Sequence, residues 1–240
     1  RSSDLNDWNN AFSTKNTPLA KRFSDEFYRG FHLAKEEERG STKNIIILDA
    51  NKLVLSWERP DRNPDLIEIK LSQNLLPNQK IVLQLTYLTK IPSDKFTKYG
   101  YNNNGIIHLK NWFLTPARYE NHDFIRYSNT NLDDIANAYS SFDIDLKIPK
   151  NFEAISDLKS SKSSVNGPFI NYKLSGNNRV DFNLIIEPKT HFESYTNSAV
   201  EVLTDLRNNK LDNIQKAIVI DRIVNFANDL IGKYPHEKII

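Results

Sequence analysis

Apolar positions along the chain change their spacing twice. Leu19, Phe23, Phe27 and Phe31 recur every fourth residue, which puts them on one stripe of a helix. Thr17 followed by Pro18 supplies an N-cap and a first-turn residue. Gly40, after "KEEER", reads as a helix stop. The pattern predicts a broken helical segment over 4–39. Glu36, Glu37 and Glu38 read as a solvated face.

From Asn44 the spacing becomes two. "IIILD" and "KLVLSWER" flank a turn at Asp49-Ala50-Asn51. "DLIEIKL" and "KIVLQLTYL" alternate about a turn holding Pro77 and Asn78. "IIHLKNWFL", "FDIDLKIP", "PFINYKLSG" and "RVDFNLIIE" continue as strands. Ser175-Gly176-Asn177-Asn178 reads as a hairpin turn, and "SDLKSSKSS" as a surface loop. Helical spacing returns in "SAVEVLTDLRNN", then in a longer helix from Asp212 that Gly232 and Pro235 end. Ile214, Ile218, Ile223, Phe226, Leu230 and Ile231 give that helix an apolar face too wide for the remaining chain to cover.

The predicted fold class is mainly β: an antiparallel β-saddle or sandwich. It has an N-terminal helical segment and C-terminal helices that begin a second domain. The expected division is 1–190 and 191–240. Strands do not alternate with helices, which excludes a doubly wound sheet.

Composition narrows the function. The 240 residues carry 32 basic and 30 acidic side chains. That balance excludes an electrostatic reader of nucleic acid. There is no Cys, so there is no disulfide framework, Cys-type zinc site or thiol nucleophile. No apolar run approaches the ~20 residues of a membrane-spanning helix. A cell-envelope or secreted location is the expectation, with a cytoplasmic one as the alternative.

Candidate chemistry is sparse. None of the five His pairs with another at i, i+4. His236-Glu237 begins like H-E-x-x-H, but Ile240 stands where the second His belongs and Pro235 precedes it. Asp143 and Asp145 alternate with Phe142, Ile144 and Leu146, a solvated strand face rather than a glycosidase pair. Asp133 and Asp134 lack EF-hand spacing. No G-x-S-x-G or phosphate-binding glycine loop occurs. Trp112 and Phe113, with Arg118 and Glu120 beyond, form either sheet core or a substrate-facing edge. Tyr99, Tyr101 and Asn102 to Asn104 form a polar loop of the kind that contacts sugar or peptide.

Several segments together resemble one family. "DWNNAFSTKNTPLAKRF", "KEEERG", "IPSDKFTKYGY", "NWFLTPARYEN" and "DFIRYSNTNLDDIANAYSSFDIDLKIPKNFEAISDL" are similar, in that order, to the N-terminal domain of aminopeptidase-N-type zinc metallopeptidases. "IGKYPHEKI" resembles the family's passage into its catalytic domain. The resemblance implies a β-saddle leading into a thermolysin-like domain, and removal of N-terminal residues from peptides. It implies zinc held by two His and a Glu, with the Glu of H-E-x-x-H as general base. This chain has neither that motif nor the Gly-rich exopeptidase strand. The expectation is therefore the non-catalytic N-terminal portion of a zinc aminopeptidase, inactive alone and holding no cofactor itself. Its partner is the parent's peptide substrate. The resemblance implies that the domain lends a polar residue to the pocket for the substrate amine, and Asn111, beside Trp112, is the candidate. The competing expectation is a stand-alone β-sandwich module that binds glycan or protein at the cell envelope.

Overall fold

The computed structural model describes residues 2–125, 137–206 and 210–240. Asp133 and Asp134 lie outside the described residues. The chain forms two compact units, Arg1–Ser140 and Ser141–Ile240. The architecture is mainly β, from antiparallel sheets with one short helix near the N-terminus and one longer helix near the C-terminus.

Unit 1 opens on a strand where helix was expected. Strand β1 (Ser2–Asn6) is followed by a 3-10 turn over Trp8–Phe12 and helix α1 (Pro18–Asp25). Strands β2 (Ser41–Leu48), β3 (Trp57–Glu58), β4 (Leu66–Lys70) and β5 (Gln84–Lys90) follow. Then come β6 (Gly100–Tyr101), β7 (Ile107–Lys110), β8 (Thr115–Pro116), β9 (Tyr119–Glu120) and β10 (Asp123–Phe124). β1 lies between β4 and β8, with Leu5 opposite Ile67. Two neighbours satisfy its backbone, and that outweighs its local helical look.

Helix α1 starts as read: Thr17 Oγ1 accepts from Ala20 N at 3.2 Å, and Pro18 takes the first turn. It stops at Asp25, because Phe27 takes a left-handed φ of 61°. The four-residue stripe breaks there. Leu19 and Phe31 are buried, while Phe27 is 88% exposed. Gly40 is no helix stop. A Cβ on it would sit 2.8 Å from Asn9 O and 3.0 Å from Pro92 Cδ, so glycine is what lets the chain pass there.

Two apolar clusters hold unit 1. One joins Leu5, Ile67 and Ile69 of the sheet to Ile45, Ile47 and Leu55. The other is aromatic, with Phe12, Phe31 and Phe96 rings 4.9 to 6.1 Å apart.

Unit 2 holds β11 (Ser140–Pro149), β12 (Glu153–Ser156), β13 (Lys159–Asn166), β14 (Phe169–Arg179) and β15 (Asn183–Glu187). After these come β16 (Glu193–Thr196), β17 (Glu201–Thr204), helix α2 (Asn213–Ile231) and β18 (Lys238–Ile239). β11, β14 and β13 form one sheet, and β12 pairs with β15. β17 lies between β16 and β18, antiparallel to the first and parallel to the second.

Three expectations are corrected here. "SDLKSSKSS" is not a surface loop: its latter part runs as β13, paired with β14. Ser and Lys are polar on both faces, so alternation gave no sign of it. The hairpin turn is at Gly167-Pro168, between paired Asn166 and Phe169, and not at 175–178. Ser175 to Asn178 continue β14, and Gly176 is small because Leu158 Cδ2 comes within 2.6 Å of where its Cβ would be. "SAVEVLTDLRNN" contains strand β17, not a helix, since β16 and β18 take up its backbone groups.

Helix α2 follows its sequence signals. Asp212 Oδ1 accepts from Gln215 N, and Gln215 Oε1 accepts from Asp212 N, a reciprocal cap. Gly232, at φ 97°, ends it. Ile220 and Val224 pack with Val200, while Ile223, Phe226 and Leu230 face outward. Left-handed backbone elsewhere falls mostly to asparagine: Asn44, Asn78, Asn111, Asn121 and Asn178 all have positive φ.

Candidate functional site

Asn111 follows the last residue of β7 and turns the chain at φ 53°, a conformation asparagine tolerates. Its side chain is buried, and Oδ1 accepts from Asn137 Nδ2 at 3.4 Å. Trp112 is half-buried, its ring edge-on to Phe113 at 5.6 Å. Trp112 O accepts from Asn9 Nδ2 at 2.7 Å. Two polar atoms of this bonded pair are buried without a hydrogen-bond partner among the described residues: the donor Trp112 Nε1 and the acceptor Asn9 Oδ1. Unpaired buried groups are uncommon and call for a water or a ligand atom. Sequence reasoning missed Asn9. It lies 103 residues from Trp112, and no spacing rule reaches that far.

The polar loop near Tyr99 uses its own groups for shape. Asn102 Oδ1 accepts from Asn104 N and Ile106 N, and Tyr101 Oη donates to Glu37 O. Tyr99 stacks edge-on to His108 at 4.8 Å. In the sheet cluster, Tyr87 Oη accepts from Leu114 N at 3.2 Å. Burial raises the Tyr87 phenol and the Asp7 charge adds to it, while the Leu114 amide works against both.

Unit 2 has a polar cavity of about 400 Å³ that the sequence did not suggest. Asp157 and Arg179 form its buried floor. The carboxylate stands 3.6 Å from the guanidinium, and Arg179 Nη2 donates to Asp157 O at 2.9 Å. Burial pushes the Asp157 carboxyl up, against the Asn183 amide and the Arg179 charge. His236 lines the same space. Burial, then the Arg179 charge, lowers its imidazole. Lys238 and Glu201, 3.5 Å apart, close the rim. Beside it, an apolar groove of about 530 Å³ runs between α2 and the β17–β18 edge, lined by Val202, Ile220, Ile223, Ile231, Tyr234 and Ile239.

Among the described residues, no three His, Asp or Glu side chains converge to hold a metal. His236 and Glu237 lie just before the extended β18, where helical i, i+4 geometry is impossible. The described residues therefore do not fit a zinc centre. Asp143 and Asp145 sit exposed on β11, with Asp145 near Lys173 at 3.9 Å.

No protein-family model matches the chain, and no curated protein is similar to it in sequence. Solved structures do match. An M1 zinc metallopeptidase from Deinococcus radiodurans superposes with a TM-score of 0.50 at 15% identity. A mutant of that enzyme gives 0.50 at 15%, and a mutant bound to a Tyr-Ser-Ala substrate gives 0.50 at 14%. The likeness is one of fold. Each match covers 83% of this chain, which spans 45% of the length of the matched chains.

Proposed function

We infer that this chain is the non-catalytic N-terminal portion of a zinc-dependent aminopeptidase, continuing at 191–240 into the start of its catalytic domain. The carrying observation is the fold match to M1 zinc metallopeptidases over 83% of the chain but 45% of theirs. The ordered segments of the sequence support it. In this reading zinc and the general base belong to the rest of the parent, and peptides are its substrate. A cell-envelope or secreted location is part of the same proposal.

The role of this portion is to wall the substrate cleft. Asn111 and Trp112 are its contact with the substrate, and the unpartnered Trp112 Nε1 and Asn9 Oδ1 are the groups through which it acts. Reading the gene beyond Ile240 tests the assignment. A frame running on through a Gly-rich strand and H-E-x-x-H is expected. A stop codon directly after Ile240, or stoichiometric zinc with peptidase activity in the chain alone, overturns it. In the parent, Trp112→Phe keeps the ring and removes the N–H. The expected result is a KM raised about tenfold, the value of one hydrogen bond, with kcat little changed.

A further inference from the structure

One face of unit 1 is apolar and cationic. It is built on the β2–β5 pair. Lys43 opposes Leu88, Ile46 opposes Thr86 and Leu48 opposes Gln84. Paired residues share a face, and Lys43, Ile46, Thr86, Gln84 and Leu88 are all exposed on this one. The opposite face carries Ile47 and Leu85 into the core.

Two loop tips extend the face at one end. The turn after β2 places Leu53 and Val54 outward, Val54 being 73% exposed. The segment before β5 presents Leu75, Leu76, Ile81 and Val82, with Val82 at 66%. Hydrogen bonds tie the two tips together: Lys52 Nζ to Gln84 Oε1 at 2.8 Å, and Ser72 Oγ to Asp49 Oδ2 at 3.2 Å. A turn in which Leu76 N donates to Gln79 Oε1 and Gln79 N to Leu76 O shapes the longer tip. The apolar side chains at these tips are held outward by specific bonds.

Along the two segments that build these tips the exposed charge has one sign. From Ile69 to Ser93 the chain has no Asp or Glu, while Lys70, Lys80 and Lys90 occur. From Gly40 to Trp57 its single acid is Asp49. That carboxylate is buried and accepts from Asn51 N and Leu53 N. Lys43, Lys52 and Lys80 are exposed among the apolar residues, while Lys90, at the far end of the pair, donates to Glu36 O at 2.7 Å beside the acidic Glu36–Glu38 turn.

We propose that this face docks on an anionic lipid surface. Leu53, Val54, Leu76 and Val82 enter the headgroup–acyl boundary, and the lysines meet lipid phosphates and carboxylates. Composition decides between lipid and protein. Protein interfaces are rich in aromatic residues and Arg and poor in Lys. The exposed residues of this face include Lys, Leu, Val and Ile, with no Arg and no aromatic side chain. Lysine suits a bilayer because its stem lies along apolar surface while its ammonium stays at headgroup level. The proposal does not depend on the peptidase reading, which concerns Asn111 and Trp112.

The test is co-sedimentation of the purified chain with phosphatidylcholine vesicles, with and without phosphatidylserine, at low and high salt. Binding to the anionic vesicles is expected, weakening as salt rises. Lys43→Glu and Lys80→Glu should each weaken it about tenfold or more. Val54→Asn with Val82→Asn should weaken it about threefold to tenfold. These side chains are exposed, so an unchanged thermal midpoint shows that each variant is folded. Absence of binding to anionic vesicles overturns the proposal, as does equal binding to both vesicle types. A dimer in sedimentation that Val82→Asn dissolves, without vesicle binding, would assign the face to a second copy and also overturn it.

Discussion

In unit 1 the Asp7 carboxylate meets Arg59 Nη2 at 2.6 Å; in unit 2 the Asp157 carboxylate meets Arg179 Nη1 at 3.6 Å. Both aspartates are buried. Asp7 also receives the Thr42 hydroxyl at 2.7 Å and the Asn10 amide. Its arginine donates onward to Pro64 O. The Asp7 carboxylate ties the start of the chain to Thr42 and Arg59, both more than thirty residues away. Asp157 receives the Asn183 amide and looks into a cavity it shares with His236. A buried acid–arginine pair is thus a fastening where the lone pairs are filled. Where such a pair also lines a cavity, it is a titratable surface inside the protein.

Asp7→Ala breaks the comparison most directly. It strands the Arg59 guanidinium and the Thr42 hydroxyl, and should cost about 3–5 kcal/mol, as removing one partner of a buried pair does. Urea unfolding followed by tryptophan fluorescence measures it, and Trp8 lies beside the site. Asp157→Ala should cost less, about 1–3 kcal/mol, because the cavity admits water to Arg179. Equal losses for the two variants would erase the distinction between the pairs.

Titration sharpens it further. Burial raises the Asp157 carboxyl above its ordinary 3.8, so folding favours the protonated acid. That contribution is whole below pH 3.8 and is lost as pH climbs through the raised value. Asp157→Asn imitates the protonated form. Its thermal midpoint relative to wild type should therefore rise as pH is raised from about 4. His236 has the opposite slope. Its imidazole is lowered from 6.5, so its contribution is whole above pH 6.5 and fades as pH falls through the lowered value. His236→Gln should remove that acid-side loss, and NMR of the ring protons reads the same titration directly. The smallest effect concerns α2 alone. Asp212→Ala deletes its cap and should cost about 1 kcal/mol, seen as reduced helical circular dichroism on mild heating.

The sequence showed the parts whose cause is local. Thr17-Pro18, Asp49-Ala50-Asn51, Asp212 and Gly232 each act within a few residues, and each stands where it was read. It misjudged β1, β13 and β17, whose strand state comes from partners far along the chain: β4 and β8, β14, and β16 with β18. Gly40 and Gly176 misled for a related reason. Glycine signals a turn in sequence, but here it makes room for Asn9 O and for Leu158. The site divides the same way. Trp112 stood out by its type, and Asn111 was named beside it only through the family resemblance. Asn9 and the Asp157–Arg179–His236 group come together only through tertiary pairing, so no motif holds them.

Asparagine holds five of the nine non-glycine left-handed positions among the described residues, in a chain with seven glycines. This has a genetic side. Asparagine codons are rich in A and T, and glycine codons begin with two G. A gene drawn toward A and T can still write tight turns, using the residue that best tolerates them after glycine. Two base changes separate asparagine from glycine, but one reaches aspartate, serine or lysine. Lys52 and Lys98 already occupy such positions. Single-base drift at these turns therefore reaches other side chains, aspartate and lysine among them, before it reaches glycine.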